Sequence, residues 1–215
     1  MLAVAERRLI IRLRSFGGTF SHFGDAGHTP LLSARQVTLR EATVSDLRPL
    51  IDLLSLADAS RFGIDEPVSE LAVQQLLDRA PRERAAGSGF LYVVTVGSTR
   101  TVVGLAQVRQ LDLGFETAEW ECTLAPSWRG TGAFMEIARL VGSFAFGSIG
   151  AHRLEARVPL QNGRANGALR KLGAVQEGVL RQSARRGGMY VDQVLWSVLK
   201  EDWAEHWVSI APRVH

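Results

Sequence analysis

Two clusters of residues have the types and spacing to do chemistry. In "LAPSWRGTGAFMEIARLVGSFAF", residues 124 to 146, Gly130 and Gly132 flank Thr131 where an apolar pattern begins. Phe134, Ile137, Ala138, Val141, Phe144 and Ala145 recur at intervals of three and four, which predicts a helix starting close to Gly130 with one face in the core. Glycines in a first helical turn leave its unpaired N–H groups accessible, and the helix dipole favours negative charge there. The turn is therefore a candidate cradle for a pyrophosphate, with Arg129 beside it; a plain tight turn from strand to helix is the alternative. The second cluster is Glu119 and Glu121 in "TAEWECTL". Strand alternation puts both on one face, and neighbouring carboxylates push one pKa upward, which suits a general base. Two ordinary surface charges would look the same.

The elements around these residues are legible in outline. "VTLREA" alternates as a strand, and a helical pattern follows in which Thr43 is an N-cap with Asp46 three residues on. A second helical stretch, "SELAVQQLLDRAPRERAAG", is expected to end or kink at Pro81. Then come "FLYVVTV", "TVVGLAQVRQ" and "TAEWECTL", joined by "GSTR" and "LDLGFE", which reads as an antiparallel meander. After the glycine helix follow strand "HRLEARV", short helix "GRANGALRKLG", and strands "AVQEGVLRQ" and "YVDQVLWSVL", with "EDWAEHW" as a closing turn that Trp203 and Trp207 pin to the body. The order describes a mixed α/β domain whose fourth strand feeds a glycine turn and a helix. Arg153, Glu155 and Arg157 alternate with apolar residues, the pattern of an ion-pair ladder on a polar strand face.

Composition narrows the function classes. The 215 residues suit one domain, with residues 1–35 as a variable extension and 36–215 as the body. The net charge of +3 belongs to the extension, where five arginines face Glu6 and Asp25; the body holds equal numbers of acidic and basic side chains. Nucleic-acid binding by a domain face is thereby disfavoured. Arg12 and Arg14 interrupt the apolar run that a secretory signal needs, and no stretch reaches the length of a membrane helix. The single cysteine, Cys122, and the lack of a Cys/His cluster with zinc spacing point to a cytoplasmic protein without structural metal. The glycine turn follows an antiparallel meander, not a first parallel strand, and no G-x-x-x-x-G-K-[ST] occurs, so dinucleotide and P-loop readings fail.

"SWRGTG" resembles the Q/R-x-x-G-x-G/A signature of the GNAT N-acetyltransferases in Gly130 and Gly132, with Ser127 at the usual Gln/Arg position. "NGRANGALRKLGAVQEGVLRQ" and "GMYVDQVLWSVLKEDW" resemble the closing segment of the RimJ/RimL-like branch, whose best-known members acetylate N-terminal amines of ribosomal proteins. The resemblance covers about residues 36 to 204. It implies a mostly antiparallel mixed sheet of about six to seven strands with flanking helices and a splayed fourth and fifth strand pair. It implies acetyl-CoA as co-substrate, its pantetheine along Thr123, Leu124 and Ala125, and its pyrophosphate on the amides of Arg129, Gly130, Thr131, Gly132 and Ala133. Glu119 takes the base role, in "AEW" where this branch commonly carries "AEI".

The tyrosine acid of N-x-x-A-x-x-x-Y is absent, Leu169 standing in its place after Asn162 and Ala165. Tyr190 and Ser197 remain as candidate proton donors, and Asn162 as a pantetheine contact or a helix cap. The expected activity is acetyl transfer to a primary amine, on a protein N-terminus or a small molecule, by a chain that can form a homodimer. The alternative is a non-catalytic acyl-CoA sensor or partner-binding domain.

Overall fold

The computed structural model describes residues 29–56, 68–186 and 188–203. Eight strands form one sheet: β1 (Leu32–Ser33), β2 (Val37–Glu41), β3 (Gly89–Val96), β4 (Thr101–Gln110), β5 (Thr117–Leu124), β6 (Arg153–Pro159), β7 (Val175–Arg186) and β8 (Met189–Leu199). Their spatial order is β1-β2-β3-β4-β5-β6-β8-β7, and the pairings are antiparallel except β5 with β6. The strand beyond the seven legible in sequence is β1, whose two residues pair with Leu39 and Thr38. They are too few to carry an alternating pattern.

Helices cover both faces. β3 is buried on both sides, and alternation splits it: Phe90, Tyr92 and Val94 join one core, Leu91 and Val93 the other. On the first face lie α3 (Ala133–Ser143) and α4 (Gly163–Lys171), through Ile137, Val141 and Leu169. On the second lie α1 (Leu47–Leu54) and α2 (Glu70–Ala85), through Leu50, Leu53, Val73 and Leu77. α1 is entered through the Thr43–Asp46 capping box, the Thr43 amide donating to Asp46 Oδ2 at 2.9 Å.

Of the two outcomes expected at Pro81, an end or a kink, the end does not occur: α2 runs on to Ala85. Pro81 is on the exposed side, while Val73, Leu77 and Ala80 are buried before it and Arg84 after it pairs with Glu41 at 2.8 Å. Tertiary contacts on both sides outweigh the lost backbone bond. α3 continues into a π-helical segment, Phe144–Ile149, that ends at Gly150 in the left-handed region (φ 86°).

Trp203, in the short helical segment after β8, closes against this helix. Its ring lies 5.6 Å from that of Phe146, and a Cβ on Gly142 would meet its ring carbons at 2.5 Å. Trp207 lies outside the described residues. Gly142→Ala is expected to destabilise the fold by about 1–3 kcal/mol through overpacking, with Tm falling by several degrees in a thermal melt.

Candidate active site

β5 and β6 diverge. Only three rungs join them, Thr117 with Arg153, Ala118 with Leu154 and Glu119 with Glu155. Beyond that last rung the β5 edge from Trp120 to Leu124 pairs with no strand among the described residues, while its other edge stays paired with β4 as far as Leu124 and Gly104. The resulting gap opens a cleft of about 790 Å³ that residues of both sheet faces line. Glu119, Glu121, Thr123 and Arg157 border it on the α2 side; Trp120, Cys122, Ala156 and Val158 border it on the α3 side. The cleft is thus a passage through the sheet with Glu119 at its apex.

The glycine turn sits at the α3 mouth. Gly130 and Gly132 have φ of 83° and 93°, so the backbone itself requires glycine at both places. A Cβ on Gly130 would meet nothing within 4 Å, leaving the turn open to a ligand. The amides of Gly130, Thr131 and Gly132 donate to no backbone carbonyl among the described residues, whereas those of Trp128 and Arg129 close the preceding 3-10 turn. Thr131 Oγ1 donates to the Trp128 carbonyl at 2.9 Å and accepts from the Ala133 amide at 3.3 Å, which fixes the loop from within. Phe134 packs on Trp120, ring centres 5.7 Å apart, and Glu136 takes two hydrogen bonds from Gln36 at 2.8 and 3.1 Å. Both contacts hold the helix mouth against the sheet.

Glu119 is only 5% exposed, and two guanidiniums engage it. Arg109 donates to Oε2 through Nε at 2.8 Å and also through Nη2; Arg157 reaches Oε1 at 3.1 Å. The polar strand face continues as the expected ladder: Arg157 to Glu155, Arg153 to Glu155 at 2.9 Å, Arg153 to Glu177 at 2.6 Å, and Ser197 to Glu177 at 2.7 Å. Each carboxylate has a cationic neighbour on at least one side, so the ladder is internally neutral and can tolerate partial burial.

The Arg153 guanidinium, with the Ser197 hydroxyl, holds the Glu177 carboxyl down at about 2 from its ordinary 4.5. A depressed carboxylate stabilises the fold fully above its unfolded pKa and loses that contribution as pH falls through the folded one. The stability difference between the wild type and Glu177→Gln is therefore expected to shrink steadily from about pH 5 to pH 2 in denaturant titrations.

Of the residues singled out from sequence, the structure brings Glu119, Glu121, Thr123 and Asn162 to the cleft, with Leu124, Ala125 and the glycine turn along the open edge and its continuation. Asn162 caps α4, its side chain accepting from the Ala165 amide at 3.2 Å. Tyr190 is 67% exposed at the β7–β8 hairpin, paired with Arg185, and does not line the cleft; Ser197 is buried in the ladder. Burial pushes the Cys122 thiol up to about 12, with Glu121 adding to it, which leaves a weak nucleophile in the cleft wall.

Sequence reading missed Arg109 as the partner of Glu119. The signal was present: the two are equidistant from Gly114 in the "LDLGFE" connection, the symmetry of a hairpin register. It also missed the bulge in β7. Gln182 stands there in the left-handed region (φ 50°) with its amide on Asp192 at 2.8 Å, and Ser183 Oγ donates to Gln193 Oε1 at 2.9 Å on the far cleft wall.

Known proteins share this architecture. A family model, the acetyltransferase (GNAT) domain, matches residues 36–175. The spermidine N(1)-acetyltransferase of Escherichia coli K12 is 26% identical over 175 residues, covering 81% of this chain and 92% of that protein. Among solved structures, the ribosomal-protein-S5-alanine acetyltransferase of Vibrio fischeri superposes with a TM-score of 0.73 at 16% identity, covering 81% of this chain and 99% of that one. The spermidine N-acetyltransferase of Vibrio cholerae, in complex with CoA and spermine, gives 0.69 at 21% identity, with 79% and 98% covered. The match to the family model takes in both the splayed strands and the glycine turn, and the chain belongs to the GNAT acetyltransferases as an N-acetyltransferase.

Proposed function

We propose that this chain moves the acetyl group of acetyl-CoA directly to a primary amine that reaches Glu119 from the α2 side of the sheet. The observation that carries the reading is the passage itself: an open strand edge and a glycine-lined helix mouth on one side, and a buried carboxylate at the apex. The residues fit the co-substrate. The unpaired β5 edge at Thr123 and Leu124, continuing to Ala125, can pair with the amide groups of pantetheine as an added strand would. The amides of Gly130, Thr131 and Gly132 suit the diphosphate, because the open space at Gly130 lets an anion approach them; those of Arg129 and Ala133, which the resemblance groups with them, already donate to the Pro126 carbonyl and to Thr131 Oγ1. Acetyl-CoA supplies an activated thioester, and its leaving thiolate can take a proton from water.

Glu119 accepts the amine's hydrogen bond and its proton, directly or through one water. A carboxylate offers about four acceptor sites; Arg109 donates twice to Oε2, which leaves the lone pairs of Oε1, approached by Arg157 at 3.1 Å as an ion pair. The guanidiniums fix the carboxylate in place, which favours a single amine orientation. The acceptor is a protein N-terminus, as the likeness of the closing segment to the RimJ/RimL branch suggests, or a small-molecule amine, as the spermidine acetyltransferases among the relatives suggest. Release of free CoA thiol from acetyl-CoA is the test, run on N-terminal peptides and small amines with mass spectrometry of the products. Amine-dependent release with an acetylated product is expected; CoA binding without release on any amine contradicts the reading.

A further inference from the structure

Resting on that reading, we propose that Arg157 is a positioning residue for the acceptor: it holds the free oxygen of Glu119 until an ammonium replaces it there, and Glu155 then takes it up. The bonds at Glu119 decide which cation leaves. Arg109 donates through Nε and Nη2 to Glu119 Oε2, and two hydrogen bonds fill the lone pairs of that oxygen. The oxygen left for an amine is Glu119 Oε1, and Arg157 Nη1 stands there at 3.1 Å as an ion pair without the alignment of a hydrogen bond. A guanidinium and an ammonium brought to one oxygen repel each other. Arg109 is held by two bonds and Arg157 by an unaligned contact, so Arg157 yields.

The strands supply the place it moves to. Glu119 and Glu155 form the last rung between β5 and β6, and Arg157 follows two residues later on the same face of β6, where the strands have parted. Its Nη2 is 3.5 Å from Glu155 Oε2, longer than an ordinary charge-assisted bond of about 2.7–2.9 Å. A displacement on the order of 1 Å, made by side-chain torsions alone, completes that bond and draws Nη1 away from Glu119. Glu155 can receive it, because Arg153 donates to the other oxygen, Glu155 Oε1, at 2.9 Å. Both carboxylates are buried, while the Arg157 side chain is 35% exposed, so the cation is the member of the group with room to move. After the exchange Glu119 faces Arg109 and the ammonium, Glu155 faces Arg153 and Arg157, and neither buried carboxylate is left unpaired.

The test is an NMR titration of the full chain, saturated with CoA, with n-propylamine near neutral pH, where an alkylamine is charged as lysine is. The uncharged control is n-propanol, and the dissociation constant is read from the backbone amide of Glu119. Arg157→Gln is expected to bind the amine about five- to tenfold tighter than the wild type, because no guanidinium has to leave. Glu155→Gln is expected to bind it about fivefold weaker, because the displaced guanidinium has lost the carboxylate that receives it. In the double variant the effect of Glu155→Gln falls below about twofold, since Glu155 acts through Arg157. Arg79→Gln removes a cleft cation that pairs with Glu83, and it changes the affinity by less than about twofold.

Unchanged or weaker binding by Arg157→Gln overturns the proposal, as does an equal gain in Arg79→Gln. A Glu155→Gln effect of the same size with and without Arg157 marks a general field instead of an exchange, and also overturns it. So does a wild type that fails to bind n-propylamine saturably or binds n-propanol as tightly. Tighter binding cannot come from a damaged fold, so the Arg157→Gln and Arg79→Gln comparison decides alone if Glu155→Gln unfolds in a thermal melt. Binding is read without turnover, so the two readings fail separately. The exchange with no thiol release from any amine refutes acetyl transfer, and thiol release with no gain in Arg157→Gln refutes the exchange.

Discussion

Glu119→Gln is expected to lower kcat by a factor of about 10² to 10⁴, the usual contribution of a positioned proton acceptor, while the Kd for acetyl-CoA stays within about twofold. The amide keeps the volume of the carboxylate and cannot take the ammonium proton. The CoA side of the passage is built from the β5 edge and the glycine turn, and it does not touch Glu119. Removing the charge also leaves two guanidiniums without it. Breaking a fully buried pair costs roughly 3–5 kcal/mol; here Arg109 is half exposed and rehydrates, so the expected loss of stability is smaller. Steady-state kinetics above saturating acetyl-CoA, alongside a thermal melt, separate the two effects. Glu121→Gln is the contrast: that side chain is exposed on the same strand face, and kcat is expected to change by less than about tenfold.

Gly132→Val is expected to weaken acetyl-CoA binding by about ten- to a hundredfold. With φ of 93°, Gly132 occupies a region that a β-branched residue enters only under strain. The chain relieves that strain by turning the peptide planes around it, and those planes carry the amides assigned to the diphosphate. Loss of one hydrogen bond to a charged group, about 1.5–3 kcal/mol, accounts for the range. Gly130→Ala is expected to weaken binding as well: its Cβ would meet no protein atom, but it would enter the open space through which the anion approaches, in addition to the backbone cost at φ 83°. A pantetheine fragment lacking the diphosphate separates loss of the anion site from general disruption: its affinity is expected to be the same in wild type and Gly132→Val.

The difference between what was legible in the sequence and what was not follows the range of the interactions. The strands from 101 to 110 and from 117 to 124 were readable to the residue, because alternation and a turn at each end are local. The glycine turn was readable for the same reason, as was the polar face of β6. Pro81 misled because its local penalty is offset by the burial of Val73, Leu77 and Ala80 and by the Arg84–Glu41 pair. Arg157 as a partner of Glu119 was invisible, since it depends on a parallel pairing between strands separated by a whole helix. The distance of Tyr190 from the cleft likewise depends on how far the β7–β8 hairpin reaches, whereas the helix cap at Asn162 was one of the two roles read from its place before a helix.

The central claim is that backbone amides at the mouth of α3 hold the diphosphate of acetyl-CoA at the open end of the β5–β6 passage. Backbone amide resonances recorded during a titration with CoA test it most directly, with pantetheine as the control lacking the diphosphate. The account predicts that the amides of Gly130, Thr131, Gly132 and Ala133 shift strongly with CoA and hardly at all with pantetheine, while those of Thr123 and Leu124 shift with both. Saturable CoA binding that leaves the four turn amides unmoved would contradict it.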